Sequence, residues 1–263
     1  MCELLGGRFG TSFPLYRAIS QGTATEMANN VHKYIKEGYR KFQLKVGGLP
    51  TDDIPRIRAV RALLDEQTML LRSQGEIGLY MPLLCDANTG WSRHEAVQVV
   101  NGVKDLDVYI EQPCLTYEEC LSVRRMCPLP MVLDECVDDM NMLTRMLSDH
   151  AADVINLKIS KVGGLTKARA MRDVAVSMGI PMNIEDTWGG DIVTATIAHL
   201  AHSTPPKFLF CSTDFNSYGP VTIATTTAHR VNGRLSAPRE PGLGVEPLMD
   251  VLGKPVIDIV LKD

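Results

Sequence analysis

Short apolar runs alternate with longer amphipathic stretches along most of this chain. The apolar runs fall at about 14–19, 41–46, 82–87, 107–112, 130–135, 153–159, 180–186 and 208–214. Rich in β-branched residues and bounded by turn formers, they read as strands. Between them, apolar positions recur at helical spacing over about 23–37, 52–66, 92–104, 116–127, 138–149, 164–178 and 190–202. Thr116 ahead of Glu118-Glu119 marks a helix start, and Ser92 with Glu95 three on makes a capping box. Gly38, Gly179 and the glycine pairs supply stops and turns. Near-continuous apolar strands in strict alternation with helices predict a parallel sheet covered by helices. Eight such strands on a repeat of about 25 residues predict an α/β fold closed as a modified TIM barrel, (β/α)7β. The last strand is not followed by a clear eighth packing helix.

The repeat breaks once. The steps from Asp86 to Glu111, Asp134 and Lys158 are 25, 23 and 24 residues, but Lys45 to Asp86 is 41. The excess lies near 66–80 and is expected to insert between the second helix and the third strand, away from the strand tips. There Met69, Leu70 and Leu71 have no evident cover. Beyond Tyr218 the pattern fades. Residues 14–230 read as the barrel, 231–263, rich in Pro and Gly, as a C-terminal appendage, and 1–13 as a lead-in.

The polar residues that end the strands carry the chemistry. Lys45, Asp86, Glu111, Asp134 and Lys158 each close an apolar run. A charge at the end of a buried strand is costly unless it has a partner or a task. One such acid reads most simply as a helix N-cap in a βα loop. Three in consecutive units would repel one another in a single barrel mouth, and a divalent cation removes that conflict. The all-oxygen set suits Mg²⁺, with Mn²⁺ also compatible, and disfavours zinc. Lys45 and Lys158 come from opposite sides of the mouth and are candidates for acid/base work. Lys161, past the strand, is expected to pair with solvent or an acid.

Composition excludes several classes. Net charge is −4 with both signs mixed, which argues against nucleic acid or an anionic membrane as partner. Seven cysteines without a C-x-x-C pair fit a reducing compartment, and the cytoplasm is the expected location. No apolar run reaches membrane-spanning length. His199 and His202, three apart on one helical run, and His32, His94, His150 and His229 read as packing or surface. Gly47-Gly48 and Gly163-Gly164 read as tight turns rather than phosphate cradles, and Cys85 as core.

The set Lys45, Asp86, Glu111, Asp134 and Lys158 resembles the enolase superfamily in its muconate lactonising enzyme subgroup. The matching stretches are Gln43-Leu-Lys45-Val-Gly-Gly, Asp86-Ala-Asn-Thr-Gly-Trp91, Ile110-Glu-Gln-Pro113, Leu133-Asp-Glu135 and Leu157-Lys-Ile-Ser-Lys161-Val-Gly-Gly. They run in the family's order over about 14–220. Ala18-Ile-Ser-Gln21, Phe42-Gln-Leu-Lys45, Glu185-Asp186-Thr-Trp188 and Thr213-Asp214-Phe-Asn-Ser-Tyr218 resemble the cis-3-hydroxy-L-proline dehydratases, whose neighbours are the proline-betaine and hydroxyproline-betaine epimerases. The resemblance implies Mg²⁺ on Asp86, Glu111 and Asp134, an acid/base pair in Lys45 and Lys158, and a metal-stabilised enediolate. It also implies substrate contacts from Gln43, Asp186, Trp188 and Asp214, with the tryptophan face toward a cationic ring nitrogen.

Two departures stand out. Many relatives carry Lys-x-Lys on the second strand, and here the first position is Gln43. The chain also begins near the linker that follows the family's capping domain, so 1–13 read as a linker remnant and 231–263 as the part that packs on the cap. The leading expectation is a Mg²⁺-dependent dehydratase acting on a small carboxylate, a cyclic imino acid. The alternatives are a racemase or epimerase on a proline derivative and a truncated, inactive barrel with a binding role. The sequence leaves a homo-oligomer open.

Overall fold

Helix starts in this chain are fixed locally. Thr23, Ser92 and Thr116 each accept the backbone N–H of a glutamate three residues on, and that glutamate's carboxylate caps them in return. Asp139 does the same one-sidedly through Met142 N–H at 2.8 Å. Each cap contributes about 1 kcal/mol. The computed structural model describes residues 1–225, 228, 230–257 and 259.

Eight parallel strands form the barrel: β1 (Tyr16–Ile19), β2 (Lys41–Lys45), β3 (Leu83–Asp86), β4 (Tyr109–Glu111), β5 (Met131–Leu133), β6 (Val154–Lys158), β7 (Met182–Glu185) and β8 (Leu209–Ser212). Seven helices cover them: α1 (Ala24–Lys36), α2 (Pro50–Ser73), α3 (Arg93–Val103), α4 (Tyr117–Arg124), α5 (Met140–Asp149), α6 (Leu165–Ser177) and α7 (Asp191–His202). The strands pair in chain order, and a parallel bridge from Ser212 to Leu15 brings β8 back to the start of β1. Only a 3-10 turn, Phe215–Ser217, follows β8 directly. The architecture is the expected (β/α)7β barrel.

Alternation along each strand sorts its side chains. Phe42, Leu44, Leu83, Cys85, Ile110, Leu133, Ile155 and Leu157 point outward and are buried in the core beneath the helices. Inside the barrel, Leu84, Val132 and Val154 pack with Tyr109 and Phe210 as a separate apolar layer. Cys85 is core, as its position implied.

The segment 66–80 differs from expectation. Helix α2 runs on to Ser73, because its buried face continues through Leu64, Gln67 and Thr68 to the half-buried Leu71. Polar Gln67 and Thr68 at inward positions hid that continuation in the sequence. Met69 and Leu70 remain exposed, and Glu76 in the following turn pairs with Arg40 at 2.7 Å.

The flanking segments fold onto the barrel. Arg230–Val231 and Arg234–Leu235 form a hairpin that adds antiparallel to Phe13–Pro14. Its turn has Asn232 at φ 49° and Gly233 at φ 66°, the type I′ geometry. A Cβ on Gly233 would sit 2.6 Å from the Gly38 carbonyl oxygen, so glycine allows the close approach. The boundary expected after residue 230 therefore falls inside this hairpin's first strand. Glu246–Pro247 pairs with Ala224–Thr225. At the other end, Cys2 Sγ lies 3.1 Å from His199 Nδ1, and Arg8 donates to His202 Nδ1 at 3.0 Å. Both histidines thus pack residues 1–8 against α7; His229 lies outside the described residues. Among the described residues no helix is long and apolar enough to cross a membrane.

Candidate active site

Strand register brings the predicted residues together. Lys45 pairs with Asp86, Asp86 with Glu111, and Lys158 with Glu185 across neighbouring strands. Asp134 follows β5 directly, two residues beyond the inward-facing Val132, so it too faces the barrel interior. At this C-terminal end lies a cavity of about 220 Å³, lined by Gln43, Lys45, Asp86, Lys158, Asp186 and Trp188 together with Tyr16 and Glu185.

The charges compensate one another. The Lys45 ammonium donates to Asp86 Oδ2, and Asp86 Oδ1 accepts Asn88 N–H at 2.8 Å. Asp134 takes Lys158 on Oδ2 at 2.5 Å and Lys161 on Oδ1 at 2.9 Å. Lys161 therefore does pair with an acid, and that acid is in the site. Glu111, fully buried, accepts Gln43 Nε2 at 2.9 Å and Asn156 Nδ2 at 2.5 Å, both on Oε1. Its Oε2 is buried without a hydrogen-bond partner. Among the described residues no three Asp, Glu, His or Cys side chains close into an ion cage; Lys45 takes Asp86, and Lys158 and Lys161 take Asp134.

Burial and charge act in opposite senses here. Burial works against the charged form of Lys45, but Asp86 and Glu111 outweigh it and hold its pKa above the ordinary lysine value. Lys158 follows the same pattern, with burial overcome by Glu185 and Asp134. Burial first, then Asp86 and Glu185, push Glu111 well above the usual carboxylate range.

The predicted substrate contacts divide. Gln43 lines the cavity but is tied to Glu111. Trp188, 63% exposed, stands at the lip and stacks obliquely on Phe215 at 5.3 Å and Tyr218 at 6.2 Å. Asp186 lines the cavity, yet its carboxylate is taken by the Ser160 hydroxyl and by Ser160 N–H at 3.1 Å and Thr187 N–H at 2.8 Å. Asp214 is not brought in. Its buried carboxylate pairs with Arg230 at 2.6 Å, and it is absent from the cavity lining.

Several residues escaped the sequence reading. Glu185 lines the cavity, accepts the Tyr16 hydroxyl at 2.5 Å and leaves Oε1 buried and unpartnered. Burial raises its pKa to about 7. Its signal was available, since it ends an apolar strand as the other tip residues do. Asn156 and Asn183 stand two residues before Lys158 and Glu185, on the same inward faces. They link through Nδ2 and Oδ1 at 2.6 Å and extend a polar belt from Glu111 across the barrel. Asp53 holds the β2 rim: its carboxylate accepts Gly47 N–H at 3.0 Å, Gly48 N–H at 2.8 Å and Trp91 Nε1–H at 2.9 Å. The Gly47-Gly48 amides thus cradle the chain's own carboxylate.

A barrel of this topology with acids and lysines at its strand tips defines a class, and the comparisons agree with it. Residues 26–251 match the family model described as enolase C-terminal domain-like, and the chain belongs to that family. Among individual proteins, it is 57% identical to a cis-3-hydroxy-L-proline dehydratase of Roseibium aggregatum, over 96% of this chain and 65% of that protein. The chain thus spans about two thirds of that relative's length. It superposes with a TM-score of 0.88 on a mandelate racemase/muconate lactonizing enzyme from Roseovarius nubinhibens, at 41% identity over 99% of this chain and 69% of that one. A member of the enolase superfamily from the same organism, solved in complex with magnesium, gives a TM-score of 0.86 at 34% identity, covering 97% of this chain and 66% of that one.

Proposed function

We propose that this chain carries the catalytic barrel of a dehydratase that removes water from a cyclic imino acid, cis-3-hydroxy-L-proline or a close analogue. One observation supports this most. Two lysines, from β2 and β6, line one cavity, and each is held by a carboxylate at a strand tip. The 57% identity to a protein named for that activity supports the substrate class. In this reading residues 14–230 form the catalytic barrel, flanked by 1–13 and 231–263.

The donor set fits a hard dication. Asp86, Glu111 and Asp134 offer oxygen alone, and the orphaned Glu111 Oε2 is a buried acceptor that lacks a donor. These three residues would hold Mg²⁺, with Mn²⁺ a second candidate. The bound ion supplies positive charge that orients the substrate carboxylate and stabilises charge developing on it. Lys45 and Lys158 do the proton work. With Asp86 and Asp134 engaged by the ion, the lysines would lose the carboxylates that hold them protonated; one, as the free amine, takes the Cα proton, and the 3-hydroxyl leaves as water, with its proton from the other ammonium. The cyclic enamine left behind tautomerises to the imine. Gln43 and Asn156 keep Glu111 oriented. Trp188 offers a ring face to the substrate ammonium.

The test is incubation of the chain with Mg²⁺ and cis-3-hydroxy-L-proline in deuterated water, followed by proton NMR. Water loss and imine formation are expected. Two lysines on one substrate also suit an epimerase, which would instead exchange the Cα proton of a proline derivative without net loss. Absence of both reactions across a panel of imino acids would overturn the catalytic reading and leave a binding role.

A further inference from the structure

We propose that the N-terminal end of the barrel holds a second binding site, for a small organic monoanion with an apolar body. The inward face of β2 reads Lys41, Gln43, Lys45, since alternate residues share a face. Lys45 belongs to the cavity described above; Lys41 stands at the opposite end of the strand. The apolar layer of Leu84, Val132 and Val154 lies inside the barrel between the polar belt and that end.

Lys41 is mostly buried and, among the described residues, has no acid. Its ammonium donates to the Phe210 carbonyl and lies 5.0 Å from the Phe210 ring centroid. The charged side chain that bears on it is a second cation, Arg234. Arg234 spends Nε and Nη2 on Ser12, at 2.9 and 2.8 Å, and leaves Nη1 free of any hydrogen bond to the described residues. Both residues line a cavity of about 220 Å³ whose other walls include Phe9, Phe13, Pro206 and Leu209. A neighbouring cavity also touches Arg234, but its Arg40 is already neutralised by Glu76 at 2.7 Å.

Two cations without a counter-charge among the described residues, one of them largely desolvated, leave an electrostatic deficit that an anion offsets. Apolar walls with a few convergent polar groups are the usual make-up of a small-molecule site. The volume suits a carboxylate on a ring or short chain. Lys41 and Arg234 would take the carboxylate; the phenylalanine, proline and leucine side chains would take the hydrocarbon.

Isothermal titration calorimetry of the chain with benzoate tests this, with benzyl alcohol as the uncharged control. Saturable binding at millimolar benzoate is expected, with none for the alcohol. Lys41→Met should weaken it about thirtyfold or more, the loss expected when one partner of a buried charge pair is removed. Arg234→Gln should weaken it several-fold. The doubly substituted Lys45→Met, Lys158→Met chain should bind as the parent does, which separates this site from the C-terminal cavity. Absence of saturable binding, equal binding by Lys41→Met and Arg234→Gln chains, or loss in the Lys45→Met, Lys158→Met chain would each overturn the proposal. Arg234 is exposed, so its variant decides the matter if Lys41→Met does not fold.

Discussion

The two ends of this barrel are built from the same strands and differ in how charge is treated. At the C-terminal end, Asp86, Glu111, Asp134 and Glu185 meet three lysines, and each lysine is bonded to Asp86 or Asp134. At the N-terminal end the interior is apolar, and inward-facing Lys41 has no acid among the described residues. Matched charges can be separated by an incoming ion or substrate, because each has a partner to exchange. An unmatched charge can only be costly or await a ligand. The contrast suits the proposed chemistry at one end and the proposed anion binding at the other.

The largest effects should come from breaking the C-terminal set. Lys45→Ala or Lys158→Ala should slow Cα proton exchange about 10²–10⁴-fold, the usual contribution of a positioned acid or base. NMR of deuterium incorporation measures it, and unchanged exchange in both variants would remove the lysines from the chemistry. Asp53→Ala should cost about 3 kcal/mol in urea unfolding, because two backbone N–H groups and the Trp91 indole lose their acceptor in the interior. Saturating Mg²⁺ at about a hundred times its Kd should stabilise the chain by about 2.7 kcal/mol. That gain should vanish in Glu111→Ala, as read by thermal melting; a gain that persists would place the ion elsewhere.

Smaller effects belong to the N-terminal end. Burial, aided by Arg8, lowers the His202 pKa to about 4. The unfolded chain, with an ordinary histidine near 6.5, binds more protons between those values. The contribution to stability is therefore complete above about pH 6.5 and lost as pH falls toward 4, on the order of 2 kcal/mol. His202→Gln should flatten that slope in a pH series of urea melts. Without ligand, Lys41→Met should raise stability by about 1 kcal/mol, since an unpaired buried ammonium gives way to an apolar chain of similar length. A fall of that size would mean that the ammonium's bond to the Phe210 carbonyl outweighs its burial.

Much of the site could be read from spacing. The acids and lysines at strand tips stood out because each interrupts an apolar run at a regular step. Glu185 obeyed the same rule and was passed over, because it sits beside Asp186 and Trp188, which drew the substrate reading instead. Asp214 entered through the family resemblance, and only packing shows that Arg230 claims it from the hairpin. The hairpin's turn signal, Asn232-Gly233, stands in the sequence, but 231–263 read only as an appendage. The full length of α2 was not legible, because Gln67 and Thr68 occupy core-facing positions that a hydrophobic pattern cannot mark.

By itself the sequence determined the order of strands and helices, the parallel barrel and the identity of the tip residues. These follow from local periodicity, from capping and from alternation, all of which act within a few residues. Only the tertiary structure decided which polar group meets which: Lys161 on Asp134, Asn156 on Glu111, Arg230 on Asp214, and a backbone carbonyl on Lys41. Such pairings join residues tens of positions apart, and they depend on strand register and on the space left between side chains.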